Sequence, residues 1–136
     1  MCRKCLIFIV MGVALLFRVS ISEGAEGGKS SPRVIKTSPG NGATDVDPSL
    51  GEISVMFSRP MLDKSWSWSY EERSTFPEVA GNPRYTDDGA TCVLPVKLQP
   101  GKQYVIWINT SRLKNFKDRN GTPAEPYKFT FMTRKE

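Results

Sequence analysis

The chain has 136 residues, with 19 basic against 14 acidic side chains, three cysteines and no histidine. The missing histidine excludes His-dependent catalytic triads and removes the commonest transition-metal ligand. Past any leader, a length of about 110 residues suits one domain around one core.

Arg3 and Lys4 precede an apolar run from Leu6 to Phe17; Arg18 and a small-residue stretch to Ala25 follow. A basic start, a run of about a dozen apolar residues and a small-residue exit form a secretory signal peptide. Cleavage fits after Ser22 or after Gly24. A spanning helix needs about 20 apolar residues, and Arg18 cuts the run short of that. A lipoprotein anchor has its cysteine after the run, whereas Cys2 and Cys5 precede it. Residues 1–22 are therefore read as leader, 23–31 as a flexible linker rich in Gly and Ser, and 32–134 as the domain. Arg3, Lys4 and Arg18 are three of the 19 basic residues, which leaves 16 against 14 acids. That balance argues against a nucleic-acid partner, and membrane contact is expected only through an uncleaved leader. Past the leader Cys92 stands alone, so no internal disulfide is expected.

Strand and turn signals then alternate. Arg33–Thr37 is a short strand, broken by Ser38-Pro-Gly-Asn-Gly42. Asp45–Leu50 reads as a polar loop, because Pro48 opposes pairing. From Glu52 to Phe57 the period is two, with Ile53, Val55 and Phe57 on one face, before a Ser-Arg-Pro-Met turn at 58–61. Trp66, Trp68 and Tyr70 alternate with Ser65, Ser67 and Ser69, so the three aromatics are expected on one strand face. Arg84-Tyr85 leads into a hairpin turn at Asp87-Asp-Gly89. Cys92, Leu94, Val96 and Leu98 alternate next, and Pro95 points to an edge strand or a bulge. Cys92 in this pattern is a buried small hydrophobe. After Pro100-Gly101, the run Tyr104–Ile108 is apolar on both faces and is expected centrally, covered on both sides. A loop from Thr110 to Pro126 precedes a last strand, Tyr127–Thr133, with Tyr127, Phe129 and Phe131 inward. The fold class is all-β: an antiparallel sandwich of about seven strands without a disulfide.

Four pieces in register resemble the bacterial Ig-like domain of the SbsA type, first associated with S-layer proteins. They are Thr37-Ser-Pro-Gly-Asn-Gly-Ala-Thr-Asp-Val46, Ile53–Met61, Leu98-Gln-Pro-Gly-Lys-Gln-Tyr104, and Asn120-Gly-Thr-Pro123 running into Phe129–Thr133. The resemblance covers about residues 32–134. It implies a seven-stranded Ig-like sandwich that serves exported proteins as a spacer or adhesive module, without catalytic residues common to the family. A lone module behind a leader departs from the usual multi-module pattern, and so does the aromatic insertion Trp66–Phe76.

No metal site, cofactor or catalytic residue is expected. One cysteine rules out a Cys-rich zinc site, and neither a Gly-x-Ser-x-Gly elbow nor a phosphate-cradling loop appears. The adjacent acids Glu71-Glu72 and Asp87-Asp88 point to opposite strand faces or serve turns. Asp118-Arg-Asn-Gly121 has a faint calcium-loop spacing without the later acid, and reads as a turn. Asn109-Thr-Ser111 and Asn120-Gly-Thr122 match the glycosylation sequon, which matters only in a host that glycosylates. Lys114, Lys117 and Arg119 around Phe116 read as a solvated loop. Trp107, among apolar neighbours, reads as structural. Trp66, Trp68 and Tyr70 are the candidate binding residues, since flat aromatics stack on sugars or anchor protein interfaces. The leading reading is a secreted, periplasmic or cell-surface non-catalytic module that binds a protein or a glycan. A purely structural spacer is the alternative, and a small hydrolase a third.

Overall fold

The computed structural model describes residues 30–136. The expected leader, and the expected linker up to position 29, lie outside the described residues. Nine strands form in chain order: β1 (Val34–Ser38), β2 (Ala43–Val46), β3 (Glu52–Phe57), β4 (Trp68–Ser69), β5 (Glu78–Val79), β6 (Arg84–Tyr85), β7 (Thr91–Lys97), β8 (Gln103–Ile108) and β9 (Tyr127–Thr133). One sheet runs β1-β3-β7-β5, with β6 also paired to β7; the other runs β2-β9-β8-β4. Alternating inward residues of both sheets make the core: Ile53, Val55 and Phe57, Cys92, Leu94 and Val96, Tyr104, Ile106 and Ile108, Phe129 and Phe131. This is a two-sheet sandwich in which period-two patterning aims one face of each sheet inward.

Three expectations need correction. The polar segment 45–50 was expected to pair with nothing, yet Ala43–Val46 pairs with β9, and in parallel. The turn before it makes this possible. The Asn41 carboxamide accepts from Thr130 N–H at 2.7 Å and donates to the Tyr127 hydroxyl at 3.0 Å. Gly42, at a φ of 87° that favours glycine, donates to the Thr130 carbonyl. The chain is thereby stitched to β9 as it crosses between sheets.

The second correction concerns Pro95, whose strand is neither at an edge nor bulged. β7 lies between β3 on one side and β5 and β6 on the other. Val96 N–H donates to Gly51 and the Pro95 carbonyl accepts from Ala80 N–H. The Pro95 nitrogen therefore faces the gap where the neighbouring strand leaves off as β5 and resumes as β6. A residue without an N–H costs nothing there. The third is β8, which is interior to its sheet but not covered on both sides. Tyr104, Ile106 and Ile108 are buried, while Val105 and Trp107 are partly exposed. The Trp107 indole N–H donates to the Glu71 carboxylate at 2.9 Å.

The loop 110–126 is ordered by Asn109, which is fully buried at a φ of 64°. Its carboxamide donates to the Phe116 and Ala124 carbonyls and accepts from Phe116 N–H, all at 2.9–3.0 Å. Phe116 is thus set into the core, with its ring 5.1 Å from Phe57 and 5.5 Å from Trp68. The Ser-Arg-Pro-Met turn closes onto the same loop. Met61 is buried and its N–H donates to Gly89, while Leu62 N–H donates to Lys117. Arg59 pairs with the buried Asp118 at 2.8 Å. Asp118 also accepts from the N–H groups of Asn120 and Thr122. Burial would raise its pKa, but the Thr122 N–H, Arg59 and the Asn120 N–H together hold it below the usual carboxylate range. Its oxygens are occupied as turn and ion-pair acceptors. In the β6–β7 hairpin, Asp88 accepts from the Thr86 hydroxyl, Ala90 N–H and both Thr91 donors. Those bonds bring its carboxyl down to about 2.

Two stability predictions follow from the buried Asn109 and from the hydrogen-bonded turn carboxylate of Asp88. Asn109→Ala removes three hydrogen bonds and leaves backbone groups unpaired, which costs about 3 kcal/mol in urea unfolding. A loss under about 1 kcal/mol would show that the loop holds itself. Second, a carboxylate depressed in the fold binds its proton less readily folded than unfolded. Its contribution is complete above the ordinary value of about 4 and is lost as pH falls toward the folded value. The thermal midpoint is therefore level near neutrality and falls between about pH 4 and pH 2, and Asp88→Asn shallows that fall. An unchanged acid slope in the variant would remove Asp88 from the account.

Candidate functional site

The side of the sandwich between β4 and the β5–β6 edge is not closed by a strand. Residues 62–85, the aromatic insertion and its return, line it. Trp66 is half-buried, with its ring 6.2 Å from Tyr85, whose hydroxyl donates to the Ser65 carbonyl at 2.9 Å. Trp68 is half-buried too, packed edge-on against Phe116. Its indole nitrogen is buried and makes no hydrogen bond among the described residues. Tyr70 is exposed, with its ring 5.3 Å from Phe76 and the Arg73 guanidinium 5.8 Å above it.

The expected strand over these residues is only the two-residue β4, paired to Ile108 and Trp107. The serines between the aromatics are covered too: Ser67 and Ser69 are buried, and the Ser67 hydroxyl accepts from Asn115 N–H at 3.0 Å, while Trp68 stands opposite the core residue Ile108 and Ser69 opposite Trp107. The aromatics therefore occupy the rim, with their inner edges on the core and their outer surfaces along the opening. Trp66 and Trp68 together line one groove of about 400 Å³, floored by Leu94 and walled by Phe76, Val79 and Leu113. Tyr70 lines the adjoining cleft, which shares Phe76 and Val79 with the groove. On the other side Trp66, Asn82 and Pro83 continue into a third hollow against Tyr85. The three hollows adjoin one another through these shared residues, with the Trp66–Trp68 groove between the other two.

Sequence reasoning missed Phe76, Val79, Leu113 and the Asn82-Pro83 corner. Val79 and Leu113 are each 47 % exposed, and with Tyr70 they make three of the six exposed large hydrophobic residues among those described. Their signal was present, since Val79 and Leu113 are isolated apolar residues in polar loops, but nothing in periodicity assigns such residues to a common wall. The carboxamides of Asn82, Asn115 and Gln99 at the rim make no hydrogen bond among the described residues.

The other motifs fall outside the opening. Asn109 of the first sequon is fully buried and fully hydrogen-bonded, so it offers no acceptor for a glycan. Asn120 of the second is exposed. Phe116 is core, which removes the aromatic from the basic loop of Lys114, Lys117 and Arg119. Glu71 is held by Trp107, and Asp88 by its turn. Among the described residues no group of three or more His, Cys, Asp and Glu could hold a metal.

A family model for the bacterial Ig-like domain matches residues 28–133. The chain belongs to this family. Among solved structures, the S-layer protein rSbsC(31-844) is similar, with 19 % identity over 83 % of this chain and a TM-score of 0.51. The Ig-like domain spans 15 % of that protein's length. No curated protein matches. At that identity the likeness is one of fold.

Cys92 lies under the groove in the core of the Ig-like domain. Burial pushes its thiol up to about 12, against weaker opposing effects of the Trp68 indole N–H and Arg84. Burial likewise raises the Tyr85 phenol well above its ordinary value, and Cys92 and Asp63 add to the shift. A thiol that is buried and protonated is a poor nucleophile. At pH 8 Cys92, followed on its own proteolytic peptide, is expected to take up a maleimide orders of magnitude more slowly in the native protein than in urea. Equal rates would place Cys92 at a surface.

Proposed function

We propose that this Ig-like domain is a non-catalytic binding module of the cell surface or envelope, and that it holds an extended saccharide chain in the groove beside Trp66 and Trp68. The observation that carries this reading is the run of hollows itself: aromatic and aliphatic walls interleaved with the unengaged carboxamides of Asn82, Asn115 and Gln99. Sugar rings present apolar faces and a girdle of hydroxyls. Stacking walls with amide donors and acceptors between them match both. A protein interface of the same kind centres on desolvated apolar anchors and leaves fewer free amides at its heart. A succession of adjoining hollows suits a polymer better than a compact ligand. The S-layer fold neighbour and the bacterial family support placement at the cell surface. The alternative that the module is only a spacer gains support from Trp68, which is wedged against Phe116 as part of the core.

Trp66 is the better probe, because it borders two of the hollows and packs on Tyr85 at the edge of the core, away from Phe116. Titration with neutral hexasaccharides, read by tryptophan fluorescence and calorimetry, is expected to show saturable binding. Trp66→Ala is expected to weaken it by about tenfold, the scale of one lost aromatic stack. Asn82→Ala is expected to weaken it less, with the thermal midpoint of that variant unchanged. Absence of saturable binding across the panel, or binding indifferent to both substitutions, would leave the spacer reading in its place.

A further inference from the structure

We infer that the Tyr70 end of the groove is a subsite for a carboxylate or phosphate group, and hence that the chain prefers an acidic saccharide over a neutral one. This rests on the groove reading and names the ligand class within it. The cleft at that end encloses about 440 Å³ and is lined by Tyr70, Arg73, Phe76, Lys97 and Lys102, with the buried Tyr104 beneath. Arg73, Lys97 and Lys102 make no ion pair among the described residues. The arginine is held in place without being neutralised: its Nη1 donates to the Tyr70 hydroxyl at 2.9 Å and its guanidinium lies over the Tyr70 ring. The Lys102 ammonium lies 5.3 Å from the Tyr104 ring centre. Tyr104 is itself fixed, since its hydroxyl accepts from Gln99 N–H at 2.8 Å.

One carboxylate lines the cleft, Glu78, which stands opposite Lys97 in the β5–β7 register yet makes no ion pair with it. Three cations against one acid leave the cleft positive. Elsewhere on the described surface Arg84 and Arg134 face carboxylates, while cations such as Lys36, Lys64 and Lys114 also stand without an ion pair. What sets the cleft apart is that three such cations converge on one aromatic-walled hollow at the end of the groove. Phe76 and Val79 wall both the cleft and the Trp66–Trp68 groove. A saccharide lying along the groove would carry its acidic group into the cleft, where partial shielding from water strengthens each charged hydrogen bond.

The test compares three probes at low salt: maltohexaose, a phosphorylated maltohexaose and a galacturonate hexamer. Wild-type protein is expected to bind at least one acidic probe about tenfold more tightly than the neutral one, the scale of one charge-assisted hydrogen bond. A Lys97→Gln/Lys102→Gln variant, altered only at the cleft, is expected to lose that preference and keep its affinity for maltohexaose. Which acidic probe wins identifies the group as carboxylate or phosphate. Equal binding of all three probes, or a preference that survives in the variant, overturns the subsite. If acidic binding survives Trp66→Ala but not the lysine substitutions, the subsite stands and the groove reading falls. If none of the probes binds, both fall.

Discussion

The Asn109 carboxamide is the interaction on which the rest of this sandwich depends. Its side chain occupies the one place where a long loop must leave a sheet, turn back and still fill the core. A positive φ at the end of β8 redirects the chain, a geometry that asparagine tolerates better than most residues. The side chain then satisfies two carbonyls and one N–H of the segment that returns. Those groups would otherwise be buried without partners, and each would cost more than a single made bond returns. Because they are satisfied, Phe116 can sit between Phe57 and Trp68. Through Phe116 the loop sets the depth of Trp68, and so the inner wall of the groove. A loop residue buried for structural reasons thereby determines the shape of the open side.

The motifs that make the family recognisable are the corners where the chain changes sheet or closes on itself. At Asn41-Gly42 the chain passes from β1 in one sheet to β2 in the other, and the turn is bonded to β9. At Pro100-Gly101 it passes from β7 to β8, and the buried Tyr104 hydroxyl caps the corner by accepting from Gln99. There Thr133 completes the closure: its hydroxyl accepts from Lys102 N–H and donates to the Gln99 carbonyl. At Ser58–Met61 the chain leaves β3, with Ser58 and Arg33 exchanging two bonds. Each corner needs a particular donor, acceptor or backbone angle, so residue type is constrained there in a way that a sequence displays.

The strands of clean alternation were legible for the same kind of reason. Ile53, Val55 and Phe57, and Phe129 and Phe131, can face inward in one register only, since a slip of one residue would expose every one of them. What was not legible depended on partners distant in sequence. β2 is polar and short, and it becomes a strand only because β9 offers it an edge. β5 and β6 have two residues each, and their existence is set by the interrupted pairing along β7. Pro95 is a strand breaker by its own chemistry, yet it is harmless here because its missing donor falls opposite the break. The Trp66–Tyr70 alternation predicted a shared inward or outward face. Trp68 stands opposite the core residue Ile108, and both tryptophan rings pack against the core, yet at an open edge they also border the opening.

That rim position explains how structural and binding roles divide among neighbouring residues. Trp68 gives its edge to Phe116, and its indole N–H to a buried site where the weakly accepting Cys92 sulfur is near but no hydrogen bond of full geometry forms. Burying such a donor unpaired is unfavourable by itself. Its retention is repaid by the area the ring covers against the core, and that commits Trp68 to the fold. Trp66, two positions earlier, packs on a tyrosine of the opposite edge. Its neighbours Asn82 and Pro83 belong to the stretch where β5 and β6 are interrupted and backbone pairing demands least. Substitutions along that stretch change the groove without breaking a ladder. The opening is therefore where this domain can acquire a ligand preference at little cost to stability. The cations at its Tyr70 end, none of them held in an ion pair, follow the same rule: a fold spends its constraints on the corners and leaves the rim free to specialise.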